Sequence, residues 1–329
     1  MMNNVFGLIG ESLRHSFSPQ IHCEIFKMLG IEGEYRLFEL KEEELKPALL
    51  KYKEQGIKGL NVTVPYKIKI MPYLDVISEE AEKIGAVNTI SLVNGILTGY
   101  NTDYSGFGML LARSRIEVKN KTAVILGTGG VSKAAAQYLM DNGVKGITYV
   151  SRNPGDGAVG YDETESLKGD IIINCTPCGM YPKMDVSPVP YGIFKQFGTA
   201  VDLIYNPERT MFLKQAEENG LKAVNGLYML VGQAVAAQEI WNGIGLSSQQ
   251  VDSIYRHIKK MLYSDTSKNI VLIGLSGCGK TSIGKLLAEK LGRKFIDIDD
   301  LIEKQEGCTI NELFRHCLLY TSDAADDLL

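Results

Sequence analysis

Short apolar runs alternate with helical stretches along the first hundred residues. Strands are predicted at the apolar runs 5–9, 35–40 and 59–64. Helices are predicted between and after them, around residues 19–29, 42–55 and 78–84. Regular alternation of strands and helices indicates an α/β layer with a mostly parallel sheet.

The alternation sharpens between residues 121 and 151. Residues 121–126 predict a buried strand, 127–132 a glycine turn, 133–142 a helix that ends at Gly143, and 147–150 the next strand. This is one complete βαβ unit of about 30 residues. Further strands are predicted at 171–174 and 200–203, so a second, Rossmann-like α/β domain is expected.

The pattern changes to helices after residue 226. Residues 227–262 predict two amphipathic helices separated by Gly243 and Gly245. A polar linker follows at 264–268, and a new strand is predicted at 269–273. The change in composition at the linker indicates a domain boundary.

Composition narrows the classes of function. The chain has 329 residues, of which 45% are hydrophobic and 22% charged, as in soluble globular proteins. Its 35 basic and 39 acidic residues give a net charge of −4, which favours small-molecule partners over nucleic acid. The sequence has no run of about 18 apolar residues that would span a membrane, and Glu11 interrupts any signal-peptide core. We therefore expect a cytoplasmic protein without a membrane partner.

The six cysteines do not suggest a disulfide framework in a chain of this size. Cys175 and Cys178 form a CxxC pair, which is found in metal and redox sites. Because a second CxxC is missing and the chain has only four histidines, packing of a loop is the favoured interpretation. No metal is expected in this part of the chain.

The glycine turn is a candidate nucleotide site. Gly127, Gly129 and Gly130 stand between a predicted strand and a predicted helix, where backbone N–H groups can approach a pyrophosphate. The alternative is a plain turn, but the strand–turn–helix context favours nucleotide binding.

The residues about 20 positions further on distinguish NADP from NAD. NAD-binding proteins usually place a carboxylate there, whereas this chain has Ser151 and Arg152. A guanidinium pairs with a 2′-phosphate, so NADP is favoured. The alternative for Arg152 is a solvated residue at the end of a strand.

Four polar motifs follow or end short apolar runs in the first hundred residues. Their polar members include Ser16 and Ser18, Thr63 and Lys67, Asn88, and Asp103. Each motif is expected at the carboxyl edge of a strand, which is where ligands bind in open α/β sheets.

In this order, these motifs resemble the shikimate dehydrogenase family. The glycine turn and the segments 174–180, 202–207 and 226–234 continue the resemblance, which covers about residues 5–262. It implies reversible reduction of 3-dehydroshikimate to shikimate with NADP(H). The family also implies a substrate domain and a Rossmann-like domain that clasp a cleft.

The resemblance assigns roles to individual residues. Lys67 and Asp103 would be the proton-transfer pair. Residues that would bind the substrate are Ser16, Ser18, Thr63, Asn88, Asp103, Tyr205 and Gln233. Residues that would bind NADP(H) are Gly127, Gly129, Gly130, Val131, Ser151, Arg152, Asn174, Thr176, Met180, Leu203, Gly226 and Met229.

The residue types suit this chemistry, although each has a plainer alternative. Reduction of a ketone develops an alkoxide, which a protonated lysine can stabilise and protonate. Lys67 could instead be a surface lysine, Asp103 a helix N-cap, and Gln233 a polar residue on an apolar helix. Ser16 and Ser18 could be turn or cap residues before Pro19.

One departure from the family concerns cofactor choice. Family members commonly carry a second basic residue soon after the arginine, whereas Asn153 and Pro154 follow it here. The preference for NADP over NAD is therefore expected to be weaker than usual. Oxidation of quinate, which some relatives catalyse, stays open.

A second nucleotide motif lies beyond the linker. The segment 274–281 is a Walker A pattern in which Gly274 and Gly279 shape the loop, Lys280 meets phosphates and Thr281 binds Mg²⁺. With the following acidic motif it resembles the opening of shikimate kinase, at about 269–315. That resemblance would place Asp297 near Mg²⁺ and Asp299 near the hydroxyls of shikimate.

Only about 48 residues of that domain are present, too few to bury a sufficient core. No kinase activity is expected, and ATP with Mg²⁺ would be used only by a complete domain. Residues 316–329 resemble translated sequencing-adapter read-through, and we assign them no function.

These observations predict an α/β protein in five parts. They are a discontinuous substrate domain (1–102 and 236–263), an NADP-binding domain (103–235), the linker (264–268), the P-loop fragment (269–315) and the tail (316–329). The leading function is an oxidoreductase that acts as a monomer or homodimer. The alternatives are a phosphotransferase and a nucleotide-binding regulator, and the presence of both Lys67 and Asp103 disfavours the regulator.

Overall fold

The structure, a computed structural model, describes residues 4–13, 16–155, 157–264, 270–275, 277–291, 295–310 and 312–313. The chain divides into two compact units, Met1–Asp265 and Thr266–Leu329. The division falls within the predicted linker. The predicted tail 316–329 lies outside the described residues.

The first sheet of the large unit has six strands. They are β1 (Asn4–Gly10), β2 (Gly33–Glu39), β3 (Gly59–Val62), β4 (Val76–Ile77), β5 (Thr89–Val93) and β6 (Ile96–Tyr100), in the order β2-β1-β3-β5-β6-β4. β1 is parallel to β2 and β3, whereas β5 is antiparallel to both β3 and β6. The helices of this part are α1 (Ser18–Leu29), α2 (Leu45–Glu54), α3 (Tyr66–Lys69), α4 (Glu79–Ile84) and α5 (Thr102–Arg113), with 3-10 turns at Glu42–Glu44 and Met71–Tyr73.

The second sheet is wholly parallel. Its strands are β7 (Thr122–Leu126), β8 (Gly146–Val150), β9 (Ala158–Val159), β10 (Ile171–Asn174), β11 (Thr199–Asp202) and β12 (Lys222–Asn225), in the order β12-β11-β10-β7-β8-β9. The connections include α6 (Gly130–Asp141), α7 (Met211–Glu218) and 3-10 turns at Tyr161–Ser166 and Tyr191–Gln196. β10 is buried along its whole length, as expected for a central parallel strand covered on both faces.

Two long helices follow the second sheet, α8 (Leu227–Asn242) and α9 (Ser248–Ser264). α8 packs closely on α5, because a Cβ on Gly106 would lie 2.7 Å from the Met229 carbonyl oxygen. The far end of α8 reaches the first sheet, where Trp241 Nε1 donates to the Ile90 carbonyl oxygen at 2.9 Å. The predicted domain boundary at 235/236 falls inside this unbroken helix, and the division into substrate and NADP-binding domains stays a prediction.

The small unit contains α10 (Lys280–Leu291) and α11 (Ile298–Glu306). The strand predicted at 269–273 is wrong for the described residues 270–273, which are not assigned to a strand. A strand is held by hydrogen bonds to a neighbouring strand, and the described part of this unit contains none to pair with. Apolar Val271 and Ile273 are accordingly 65% and 88% exposed.

Within the described residues, none of the helices combines the length and the apolar character that crossing a membrane requires.

Candidate active site

Four segments bring polar residues to one edge of the first sheet. β1 and β3 are parallel, so the turns that follow them, with Ser16 and Thr63, leave at the same edge. β5 is antiparallel to β3, which places Asn88, just before β5, at that edge as well. β6 returns to the edge and is followed by Asp103. The topology therefore groups residues that are far apart in the sequence.

Lys67 and Asp103 form an ion pair at this edge. Lys67 Nζ lies 2.6 Å from Asp103 Oδ2, and the two side chains are only 12% and 8% exposed. Lys67 lies in the short helix α3, where Val87 N donates to the Lys67 carbonyl oxygen at 2.8 Å. Asp103 lies in the first turn of α5, where the helix dipole favours a carboxylate. The structure thus brings the predicted proton-transfer pair into direct contact.

Asn101, and not Asp103, is the N-cap of α5. Asn101 Oδ1 accepts hydrogen bonds from the backbone N–H of Asp103 at 3.1 Å and of Tyr104 at 3.4 Å. Asn101 Nδ2 donates to the Ala86 carbonyl oxygen at 2.8 Å. The alternative role of Asp103 as an N-cap is therefore wrong, and its carboxylate is available to Lys67.

Buried polar side chains orient the amide of Asn88. Its Oδ1 accepts from Thr102 N at 2.7 Å and from Thr89 Oγ1 at 3.1 Å. Because the oxygen faces these donors, the Nδ2 group is the end that can donate to a ligand. Asn61 extends the network, since it accepts from the Tyr35 hydroxyl at 2.7 Å and donates to Thr89 Oγ1 at 3.0 Å.

The N-terminus of α1 carries the two predicted serines. Ser16 Oγ accepts from Ser18 N at 3.3 Å, so Ser16 also stabilises the first turn, as its plainer alternative predicts. Phe17 is the N-cap and Pro19 lies in the first turn. The positive end of the helix dipole, together with the serine hydroxyls, attracts an anion. This end of α1 is suited to a carboxylate.

The glycine turn after β7 lies beside the ion pair. Gly127 has a φ of +100°, Gly129 is the N-cap of α6, and Val131 is half-buried in its first turn. A Cβ on Gly130 would lie 3.4 Å from Lys67 Cδ, so the turn and the ion pair border the same space. A Cβ on Gly129 would meet no described atom within 4 Å, which leaves room for a phosphate at the start of α6.

Ser151 and Arg152 follow β8. Ser151 Oγ accepts from Asn153 N at 3.2 Å, and Ser151 N donates to the Val159 carbonyl oxygen at 2.9 Å. Arg152 is exposed and forms no ion pair with the residues that the structure describes. Its guanidinium is therefore free to meet a phosphate, which fits the 2′-phosphate of NADP.

A buried hydrogen-bond network around Asn174 and Asp202 joins the ends of β10 and β11. Asn174, with no exposed surface, donates to Asp202 Oδ1 at 3.0 Å and accepts from Thr176 Oγ1 at 2.7 Å. Asp202 also accepts from Thr210 Oγ1 at 2.5 Å and from Ile204 N at 3.0 Å. Burial raises the pKa of Asp202 to about 7, although these three donors oppose the shift. Asn174 thus orders the turn at Thr176 from inside the fold.

The other predicted cofactor residues differ in exposure. Met180 is 45% exposed, Leu203 is half-buried, and Met229 is buried in the core on α8. A Cβ on Gly226 would overlap the Leu203 carbonyl oxygen, so this glycine is needed for backbone contact. Met229 contributes packing in this structure, and its surface is 5% exposed.

Tyr205 and Gln233 complete the predicted substrate residues. The Tyr205 ring meets Phe17 edge-on, with centroids 6.1 Å apart. Gln233 Nε2 donates to the Leu230 carbonyl oxygen at 3.1 Å within α8. Tyr205 is therefore brought to the α1 serines, whereas Gln233 is hydrogen-bonded within its own helix.

The CxxC cysteines are free thiols. Burial raises the pKa of both Cys175 and Cys178, so neither thiol has the lowered pKa of a reactive cysteine. Within the described part of the chain, no group of three or more potential metal ligands is found.

The P-loop of the small unit brings its predicted phosphate and Mg²⁺ residues close together. Lys280 Nζ donates to the carbonyl oxygens of Gly274 at 2.8 Å and Leu275 at 2.7 Å. Thr281 Oγ1 lies 3.3 Å from Asp297 Oδ2, so the two predicted Mg²⁺ residues are adjacent. Gly279 has a positive φ, and Asp299 N donates to Asp297 Oδ1 at the start of α11.

Two family profiles match the chain. The shikimate dehydrogenase substrate binding domain matches residues 8–90, and shikimate kinase matches residues 276–317. The chain is 48% identical over 259 residues to the shikimate dehydrogenase (NADP(+)) of Clostridium beijerinckii, which covers 76% of this chain and 96% of the relative.

Solved structures of shikimate 5-dehydrogenases are similar to this chain as well. A chorismate mutase/shikimate 5-dehydrogenase fusion protein from Clostridium acetobutylicum matches with a TM-score of 0.77 and 49% identity, over 79% of this chain and 99% of that one. The shikimate 5-dehydrogenase of Thermus thermophilus, solved with NADP(H) and shikimate, matches with a TM-score of 0.70 and 32% identity, over 77% and 99%.

Proposed function

The chain belongs to the shikimate dehydrogenase family, and we propose that it interconverts 3-dehydroshikimate and shikimate through Lys67 and Asp103. The predicted family, the α/β fold and the use of NADP(H) are confirmed by the relatives. The observation that carries the proposal is the shielded Lys67–Asp103 pair, 2.6 Å apart, against the Gly130 turn.

The chemistry follows from the placement of this pair. NADPH, which the glycine turn would hold, would supply the hydride that reduces the carbonyl carbon of the substrate. Lys67 then protonates the oxygen as negative charge develops on it, and recovers a proton from water. Asp103 holds the ammonium in place and accepts a hydrogen bond from the reacting hydroxyl. In the reverse direction Lys67 acts as the base that accepts the proton of the reacting hydroxyl.

The surrounding residues hold the substrate and the cofactor. Ser16, Ser18 and the α1 N-terminus would bind the substrate carboxylate, while Thr63 and the Nδ2 group of Asn88 would bind hydroxyls. Tyr205 would close on the substrate, with Gln233 on α8 nearby. The glycine turn would hold the pyrophosphate. The remaining predicted cofactor residues (Ser151, Arg152, Asn174, Thr176, Met180, Leu203, Gly226, Met229) would contact NADP(H) or support the backbone that does.

The small unit is proposed to have no kinase activity. Its Lys280, Thr281 and Asp297 are arranged as in a phosphate and Mg²⁺ site. Its apolar residues, however, are exposed where a complete P-loop domain would bury them. Turnover of ATP that depends on shikimate would contradict this part of the proposal.

Location and assembly are further parts of the proposal. Cys23, Cys175, Cys178 and Cys278 are free thiols, which supports a reducing, cytoplasmic compartment. A monomer or homodimer is proposed, and sedimentation of the purified chain tests it.

The decisive experiment compares two lysines in one helix. NADPH absorbance is followed after addition of 3-dehydroshikimate, with NADH and the quinate-series ketone in parallel. Lys67→Met should lower kcat by about 10² to 10⁴, the usual effect of losing a positioned acid–base group. Lys69→Met is the matched control, because Lys69 pairs with Glu42 at the surface and is 45% exposed.

The outcomes separate the parts of the proposal. Turnover that prefers NADPH, survives Lys69→Met and is lost in Lys67→Met supports it. A Lys67→Met enzyme within tenfold of the wild-type kcat would exclude Lys67 as the proton donor. Wild-type protein that binds NADPH but turns over neither substrate would favour a regulator.

A further inference from the structure

Helix α9 holds the loop that carries Tyr205. The Tyr263 hydroxyl donates to the Tyr205 carbonyl oxygen at 2.5 Å. One helical turn earlier, Lys259 Nζ lies 2.9 Å from Glu208 Oε1. Residues four apart share one face of a helix, so α9 contacts both ends of the 205–208 loop.

The same helix is tied to the elements around the substrate. His257 Nε2 lies 3.0 Å from Glu24 Oε2 on α1, and Asp252 Oδ1 lies 2.8 Å from Arg113 Nε on α5. α1 carries the proposed carboxylate site at its N-terminus, and α5 begins with Asp103. α9 therefore connects both helices to the 205–208 loop, which comes from the second sheet.

The Tyr263 bond acts close to the Tyr205 ring. The bonded carbonyl belongs to Tyr205 itself. The Tyr205 ring packs against Phe17, which stands between Ser16 and Ser18 in the sequence. Burial raises the pKa of Tyr263, so its hydroxyl stays a donor at neutral pH. A shift of this carbonyl would move the ring relative to the serines.

We propose that Tyr263 is a positioning residue for substrate binding: its hydroxyl fixes the Tyr205 backbone and thereby sets the Tyr205 hydroxyl against the substrate side of the cleft. The proposal rests on the proposed function of Tyr205. It assigns a role to the last described turn of α9, which the sequence motifs do not include.

Three single variants of the full chain and one double variant test it. Tyr263→Phe removes the donor and keeps the ring. Tyr255→Phe is the matched control, because Tyr255 lies on the same helix and contacts Arg113 and Tyr228 through its ring. Tyr205→Phe tests the proposed function independently. KM for shikimate, KM for NADP and kcat are measured for each.

Tyr263→Phe is expected to raise KM for shikimate about three- to tenfold, the loss of one hydrogen bond of ordinary strength. KM for NADP and kcat should change less than about twofold, and Tyr255→Phe should resemble wild type. In the double variant with Tyr205→Phe, the two effects should combine to less than their product, because both act through the Tyr205 hydroxyl.

An unchanged KM for shikimate in Tyr263→Phe, with a raised KM in Tyr205→Phe, overturns the positioning role and leaves the proposed function intact. Equal increases in both KM values, with a lowered Tm, would show a merely structural role and also overturn it. No effect of Tyr205→Phe in an active wild type would refute the role of Tyr205, and the positioning role with it.

Discussion

Asp202 should make the stability of the large unit fall as pH rises. This carboxyl group has no exposed surface, and burial raises its pKa from the ordinary 3.8 to about 7. A group whose pKa is higher in the folded state stabilises the fold while it is protonated there. That contribution is complete below about pH 4 and is lost as pH rises through about 7. Asp202→Asn removes the titration and keeps the shape of the side chain.

The pKa shift sets the size of the effect. Each pKa unit corresponds to about 1.4 kcal/mol, so the full contribution is about 4 kcal/mol. Of this, about 2 to 3 kcal/mol is lost between about pH 5 and about pH 8, because the unfolded carboxyl is already ionised at the lower value. The difference in unfolding free energy, Asp202→Asn minus wild type, should rise by that amount across this window.

Urea unfolding followed through the single tryptophan measures this difference. Trp241 lies on α8, so its fluorescence reports the large unit. Any constant cost of the substitution cancels when the two pH values are compared. Asp170→Asn is the control, because hydrogen bonds from Thr122 and Lys121 lower the pKa of Asp170. Its contribution is lost only as pH falls below 3.8, so its difference should be flat in this window.

A flat difference for Asp202→Asn would refute the reasoning. It would mean that the three hydrogen bonds to the carboxylate keep Asp202 ionised in the folded protein throughout the window.

Two further predictions concern charge elsewhere in the large unit. Burial lowers the pKa of His22 from 6.5 to about 3, so the contribution of His22 to stability is present above pH 6.5 and is lost as pH falls. In the same urea assay, the unfolding free energy of His22→Gln should rise relative to wild type by about 3 kcal/mol between about pH 7 and about pH 4. A difference for His22→Gln that does not change with pH would contradict this. Arg152→Ala should raise KM for NADPH about tenfold or more, since a charge-assisted hydrogen bond contributes about 1.5 to 3 kcal/mol. KM for NADH should stay unchanged. Equal effects on both KM values in steady-state kinetics would count against a contact between Arg152 and the 2′-phosphate.

The local pattern of apolar and polar residues was sufficient to predict most of the strands and helices of the large unit. The apolar runs at 5–9, 121–126 and 171–174 became β1, β7 and β10, because a central parallel strand must be apolar on both faces. The hairpin of β5 and β6 was not predicted, although its turn residues Asn94 and Gly95, both with positive φ, are a recognisable signal. The strand at 270–273 was predicted from an apolar run alone, and a run cannot supply the neighbouring strand.

The residues proposed to react were recognisable in the sequence, but the orientation of the polar residues around them was not. Lys67 and Asp103 stand in recognisable motifs, and the structure places them in contact across 36 positions of sequence. Asn174 was predicted to border the cofactor, yet a buried Asp202, 28 positions away, turns its amide inward. Whether a polar residue faces the cleft or the core depends on such partners, and single motifs do not contain them.

The same argument applies to the network around Asn88 and its proposed role in substrate binding. The Asn88 amide presents Nδ2 to a ligand only because Thr102 and Thr89 donate to its oxygen. Tyr205 likewise faces the α1 serines through a bond from Tyr263, 58 positions away. Asn88 and Tyr205 are therefore each oriented by a second residue that would not touch the substrate. Loss of such a partner should weaken substrate binding more than it slows proton transfer, because the Lys67–Asp103 pair is held separately by α3 and the Asn101 cap.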